Sequence, residues 1–231
     1  METIQNINEM LVLRIDANLP LANAIRRSLS DVPTLAIDDV EVYKNDSALY
    51  DEIIANRLGM VPLKTEKSMS PKTKIDMKLS KKGPGQVYSG DLEGPATVIY
   101  PKIPITLLGE GHKLELMATA TLGIGRSHAK HIPGLCYYRY ILEVKSSPQI
   151  DEIVEKSKGL IKPEKKVSKW LCDINEAIIK EIEKLDKGAV TDSSEILFII
   201  ESYGNMPAKD ILSEAVKALE HNLDEFEKEL K

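Results

Sequence analysis

Residues 123–131 read GIGRSHAKH and gather the side chains of this chain best suited to chemistry. Gly123-x-Gly125 followed by Arg126 and Ser127 has the opening of a loop whose backbone N–H groups cradle a phosphate. The third glycine of such a loop is missing, and no strand–loop–helix pattern surrounds it. His128 and His131 have a spacing that metal ligands use. Ile132-Pro133-Gly134 follows at once, so no helix runs through the pair, and no nearby carboxylate or thiol completes a site. A free-standing phosphate- or metal-dependent enzyme built on Gly123–His131 is therefore one reading, and a surface loop is the plainer one. Asp38 and Asp39 are paired carboxylates, but neighbours on a strand point to opposite faces and cannot act together as acid and base. Nothing sets a nucleophile beside a base and an orienting group. The expectation is a chain with no catalytic site of its own.

Composition narrows the partners. With 231 residues, 42% hydrophobic and 5% aromatic, the chain makes one large domain or two small ones around a core of Ile, Leu, Val and Ala. A formal charge of −5 argues against binding nucleic acid alone by general electrostatics. Seven lysines lie between Lys64 and Lys82, against Glu66 and Asp76, and this stretch is either a nucleic-acid contact or a solvated face. The two cysteines, Cys136 and Cys172, suit a reducing cytosol and are too few for a four-thiol zinc site or an iron–sulfur cluster. No cofactor or metal is expected. No apolar run reaches the ~18 residues of a membrane span, and the N-terminus has no signal-peptide pattern, so a cytoplasmic chain without membrane contact is expected.

The elements that must position these groups follow from periodicity. Residues 10–17 alternate as a strand, and Asn18 can cap a helix opening at Leu19-Pro20. Leu21, Ile25 and Leu29 fall on one stripe of that helix, and Arg26 and Arg27 complement its C-terminal dipole. Residues 34–43 alternate as a second strand. The run DEIIANRLGMVPL (51–63) then reads as a short connector helix: Asp51 and Glu52 at its start, Ile53, Ile54 and Leu58 on its packed side, Arg57 in its last turn. Gly59 suits the left-handed residue that ends a helix. Residues 64–95 read as loop, whereas 97–108, 113–122 and 136–145 are strand-like, and a helix is placed near 149–158. Residues 173–187 form an amphipathic helix capped by Asp173, 195–202 a short strand, Gly204-Asn205 a turn, and Pro207 opens a helix to the C-terminus. The class is α+β, with mixed ends around a β-rich middle.

That last helix speaks most plainly of a partner. Leu212, Val216, Leu219, Leu223, Phe226 and Leu230 are spaced as a heptad seam, beside a charged face that includes Glu220, Asp224, Glu225 and Glu227. A seam about three heptads long is marginal alone and needs a facing surface. Its first half can pack on this chain's own sheet, and Leu223, Phe226 and Leu230 are expected to outrun it. Arg26 and Arg27 diverge by about 100° around their helix, so both cannot serve one intramolecular partner. One of them is expected to be free for an intermolecular carboxylate or carbonyl, the alternative being dipole compensation at a solvated helix end.

Four blocks then fall in order. Asn23, Arg26, Arg27, Val32, Pro33, Ala36 and Ile37 form the first, and Asp51, Glu52, Ala55, Arg57, Leu58, Gly59, Pro62 and Leu63 the second. ATATLGIGRSHAKHIPG (118–134) is the third and FIIESYGNMPAKDILSEAVKAL (198–219) the fourth. Together they resemble the D-type subunit family of archaeal DNA-directed RNA polymerase and the third-largest subunit of eukaryotic RNA polymerase II, and more distantly the N-terminal domain of the bacterial α subunit. The resemblance implies a discontinuous dimerisation domain (1–45 and 173–231) with an inserted β-rich domain (46–172), the 51–63 helix lying where the insert begins. It further implies a non-catalytic assembly platform that pairs with the small subunit L and holds the second-largest subunit and the small subunits N and P. Arg26, Arg27 and the seam residues would be its partner-binding groups. Some family members carry a cysteine-rich domain with an iron–sulfur cluster and many eukaryotic relatives bind zinc in the insert, but here 64–95 holds no cysteine. Elemental analysis of the purified protein should accordingly find no stoichiometric iron or zinc; one tightly held metal per chain would contradict the ligand count.

Overall fold

Leu11 and Leu13 on one strand and Ile196, Phe198 and Ile200 on another turn the same face toward a common helix layer, and this draws the two ends of the chain together. In the computed structural model, which describes residues 1–231, the elements begin with β1 (Glu2–Ile7), β2 (Met10–Asp16), α1 (Leu19–Ser28), β3 (Thr34–Asn45) and α2 (Asp51–Gly59). Then come β4 (Lys74–Lys82), β5 (Gly85–Tyr88), β6 (Pro104–Leu108), β7 (Lys113–Gly123), β8 (Gly134–Lys145), α3 (Pro148–Lys156), β9 (Glu164–Lys166) and β10 (Lys169–Cys172). The chain closes with α4 (Glu176–Leu185), β11 (Val190–Ser202) and α5 (Ala208–Glu229). One sheet has the order β1-β2-β11-β8-β10-β9, a second β3-β7-β4, and β5-β6 form a hairpin-like pair. The α+β class is as expected.

The larger sheet is covered on both faces. Leu11, Leu13, Phe198 and Cys136 pack under α1 and α5, and Val144, Trp170 and Cys172 continue that face under α3 and α4. Val12, Ile141, Leu197 and Ile199 point the other way and are covered by Leu160 and Ile161. This is why the β2 and β11 runs are nearly continuous in apolar residues instead of alternating cleanly. The sheet also curls. Arg14 on β2 donates to Glu195 (2.7 Å) on β11 and to Glu164 (2.8 Å) on β9. Across a flat sheet β2 and β9 would lie four strand spacings, about 19 Å, apart, farther than an Arg–Glu pair reaches.

Helix ends show local chemistry at work. Asn18 Oδ1 accepts from Leu21 N–H (3.2 Å), the cap read from the sequence. The buried stripe of α1 is displaced from the expected one: Leu21 is 51% exposed, while Ala22 and Leu29 are buried and Ile25 partly so. The small Ala22 is among the residues packed with Ala208 and Ala215 of α5. In α2, Ile54 and Leu58 are fully buried but Ile53 is not, at 44% exposed. Arg57 reaches across to donate to Ile105 O (2.7 Å), docking α2 on β6. Gly59 stays helical with no positive φ; Met60 ends the helix, its N–H turned back to Asn56 O and Leu58 O. α4 is capped by Asn175 (3.0 Å to Ile178 N–H), not by Asp173. Asp173 is buried and accepts from Arg139 (2.8 Å) and Leu160 N–H (2.8 Å).

The lysine-rich stretch is not all loop. β4 buries Met77 and Leu79 on its inner face and turns Lys74, Lys78 and Lys82 outward. Its charge conceals a period of two. Strand pairing runs across the expected domain limits. Thr34–Asn45 pairs along β7, so it belongs with the middle of the chain, whereas Gly134–Lys145 pairs along β11 and Lys169–Cys172 pairs with β8. Periodicity marks a strand but not its partner, and these three strands take partners that their own alternation does not name.

The two sheets meet at the turn after β11. Gly204 adopts φ +95°, which turns the chain so that Asn205 is buried. The Asn205 side chain donates to Leu63 O (2.9 Å), and its backbone carbonyl accepts from Thr65 N–H (2.9 Å). Thr65 Oγ1 in turn accepts from Leu35 N–H (3.0 Å). Replacing Asn205 by Ala strands a buried carbonyl and should lower stability by about 1–3 kcal/mol in denaturant unfolding. An unchanged midpoint would show that this clamp does not hold the two sheets.

Candidate assembly interface

α5 is longer than the surface it covers. Its first turns bury Ala208, Ile211 and Ala215 against α1 and the sheet, and Asn222 Nδ2 donates to Asp31 Oδ2 (3.2 Å). Asp31 is also held by Arg126 through both carboxylate oxygens (2.5 and 2.7 Å), which ties the 124–131 loop to the turn after α1. Beyond Asn222 every residue is exposed, and Leu223, Phe226 and Leu230 are 59%, 64% and 71% exposed. Val216 and Leu219 are half-buried, and Leu212 packs on the core of this chain. At ~1.5 Å per residue, the last seven helical residues project about 10 Å without burying an apolar side chain. The seam therefore splits: Leu212 serves this chain, and Leu223, Phe226 and Leu230 face outward. Sequence spacing missed the buried row Ala208, Ile211 and Ala215, two of whose three residues are alanines that carry little hydrophobic signal.

The two arginines also divide. Arg26 Nε and Nη2 both donate to Asn23 Oδ1 (3.1 and 2.9 Å), one turn back on the same helix. It lies near Cys136, whose thiol is pushed up to about 12 by burial, with Arg26 a smaller opposing influence. Arg27 is exposed and has no side-chain partner. The divergence around the helix thus gives one arginine bound within the chain and one facing solvent.

The loop of residues 123–131 is structural. His131 is buried, and Nδ1–H donates to Thr34 O (2.8 Å) at the start of β3. Gly123 is required there, because a Cβ at that position would collide with the imidazole. At Gly125 a Cβ would come within 2.6 Å of Ile132 Cγ1. Both glycines serve close packing, and Arg126 is committed to Asp31, so no phosphate cradle forms. His128 is exposed, its Nδ1 accepts from Lys130 N–H (3.1 Å), and no group of three His, Cys, Asp or Glu comes together anywhere in the chain. The expected surface loop is corrected at His131, which pins the two connections between the sheets. Lys130 donates to Asp38 (2.6 Å), and this pairing holds the Asp38 carboxyl below its ordinary range.

Comparison with known proteins bears on this arrangement. Residues 35–134 match the family described as the RNA polymerase Rpb3/RpoA insert domain. These limits are close to those set by strand pairing. The chain is 39% identical to DNA-directed RNA polymerase subunit Rpo3 of Thermococcus kodakarensis, over 92% of this chain and 90% of the relative. It is 37% identical to the subunit of the same name from Pyrococcus furiosus, over 92% and 89% of the two chains. With that of Methanocaldococcus jannaschii identity is 31%, over 97% and 92%.

Burial of His131 has a consequence for stability. Desolvation holds the imidazole below its ordinary value, and the hydrogen bond to Thr34 opposes this only in part. As pH falls below about 6.5 the unfolded chain takes up this proton before the folded one, so stability is full above that value and lost below it. Urea titrations between about pH 7.5 and 5.5 should show a declining midpoint for the wild type. His131→Gln should be less stable at neutral pH yet show a flatter decline. Parallel slopes for the two proteins would contradict a neutral, buried His131.

Proposed function

The chain belongs to the archaeal DNA-directed RNA polymerase Rpo3 family, and on that footing we propose that its larger sheet with α1 and α5 is a dimerisation unit on which the polymerase assembles. It works as one component of a multi-subunit enzyme that transcribes DNA into RNA. Catalysis, with its magnesium and nucleotides, belongs to the large subunits. The β3–β7 insert and the exposed Arg27 present a platform to the second-largest subunit and to the small subunits N and P, and the seam of α5 takes subunit L. No metal or cofactor belongs to this chain, contact with nucleic acid comes only through the assembled enzyme, and the place of work is the cytoplasm. No helix is long and apolar enough to cross a membrane.

The observation that carries this reading is the row Leu223, Phe226 and Leu230, more than half exposed on a helix that has run out of its own core. Fully burying a large apolar side chain contributes about 1.5–3 kcal/mol, so three such residues left in water mark a surface awaiting a partner. The enzyme reading of Gly123–His131 has no support, since its glycines and His131 serve packing and Arg126 holds Asp31.

Co-expression with subunit L followed by size-exclusion chromatography should give a stable pair for the wild type and none for Leu223→Asp. Leu223 is the cleaner choice over Leu219, which is half-buried in this chain and whose loss would confound folding with binding. Retention of the pair by Leu223→Asp would refute the seam as the site of pairing. Arg27→Ala should leave that pair intact and weaken capture of the second-largest subunit. Equal capture would return Arg27 to a solvated helix end.

A further inference from the structure

The side chains beside the seam restrict what can cover it. In heptad terms Val216, Leu223 and Leu230 form one core column, and Leu219 and Phe226 the other. Glu220 and Glu227 flank this core on one side, Asn222 and Glu229 on the other. From Glu220 to Lys231 there are four Glu and one Asp against two lysines. Glu220 has no ion pair in the structure. Glu227 holds Lys231 one turn on (2.8 Å), an exposed pair of little energy that leaves both groups free to reorient.

Consider a second copy of this chain as the occupant. To bury the exposed half of the seam, two α5 helices would run antiparallel about a two-fold axis between Leu223 and Phe226. Leu223 would then meet Phe226 of the second copy, and Leu219 its Leu230. The same register sets Glu220 against Glu227 of the second copy, and symmetry repeats that clash. Like charges at flanking positions disfavour pairing and are the usual means by which such helices choose partners. A helix carrying lysine or arginine at the facing positions turns both clashes into attractions.

Resting on the reading of α5 as a partner-binding face, we infer that its acidic flanks exclude a second copy of this chain and select a partner helix whose apolar stripe is bordered by basic residues. The seam supplies adhesion and the flanks supply choice. Leu223, Phe226 and Leu230 of the seam and Glu220 and Glu227 of the flank lie outside the folded core, so the two contributions can be separated by substitution there.

Symmetry makes the test sharp. In a two-fold pair, Glu227→Lys alone converts both clashes into Glu–Lys attractions, and Glu220→Lys must do the same. The double variant restores like charges. Sedimentation equilibrium of the full chain at low salt should show self-association strengthened about tenfold in each single variant and returned to the wild-type level in the double variant. Raising salt to about 1 M should erase the differences. Far-UV circular dichroism checks that each variant keeps its helices. The same constants for all four proteins would overturn the inference. As a probe of the partner, two synthetic helical peptides with identical leucine seams, one flanked by Lys and one by Glu, separate the alternatives. The wild type should prefer the Lys-flanked peptide and the double variant the Glu-flanked one, and equal binding would also overturn the inference. If Leu223→Asp abolishes peptide binding while the charge variants change nothing, only the flank argument fails. If Leu223→Asp changes nothing, the seam reading itself fails.

Discussion

The antiparallel pairing of Met10–Asp16 with Glu195–Glu201 joins the first and last parts of the chain, and the rest of the structure is arranged around that closure. Closing so long a loop costs conformational entropy that grows only slowly with length, so a long intervening segment is tolerated once the pairing is secure. Security comes from burial on both faces: Leu11, Leu13 and Phe198 on one side, Val12, Leu197 and Ile199 on the other. Because β2 leads into α1 and β11 leads into α5, the same pairing makes those helices neighbours. The 34–123 segment is then excluded from the sheet and folds around its own core of Leu35, Ile37, Leu79 and Leu116.

Two bodies joined by two chain crossings would swing unless tied, and the ties are polar. Asn205 bonds to the backbone on both sides of Lys64, His131 bonds to Thr34, and Arg126 and Asn222 converge on Asp31. Each tie ends on a buried or half-buried group and specifies one orientation, where an apolar contact would tolerate sliding. An assembly platform needs this, since partners held by different parts of it must be presented in a fixed geometry. Arg126 and His131, two residues of the 123–131 run with the types for chemistry, serve this rigidity instead.

What is legible in the sequence has local causes. The Asn18 cap, the proline-led start of α5 and the outward row Leu223–Phe226–Leu230 depend on neighbours within a few turns and are read directly. What fails depends on distant contacts. Met77 and Leu79 mark β4, yet flanking lysines hide them until β7 supplies the buried side. Asp173 resembles a helix cap, but Arg139 on β8 and the Leu160 N–H claim its carboxylate and leave the cap to Asn175. His131 has the spacing of a ligand, and only the fold shows Thr34 O waiting for its proton. The alternation of 34–45 and 134–145 is likewise silent about which strand lies alongside.

We propose that the end of α5 is incomplete until another helix covers it. Hydrogen–deuterium exchange, compared peptide by peptide between the isolated chain and the assembled polymerase, tests this without altering a residue. The backbone amides of residues 223–230 should exchange rapidly in the isolated chain, as a helix end with no packed face frays. They should become strongly protected on assembly, while amides of β2 and β11 stay protected in both states. Slow exchange of 223–230 in the isolated chain, or fast exchange in the assembled enzyme, would contradict the account.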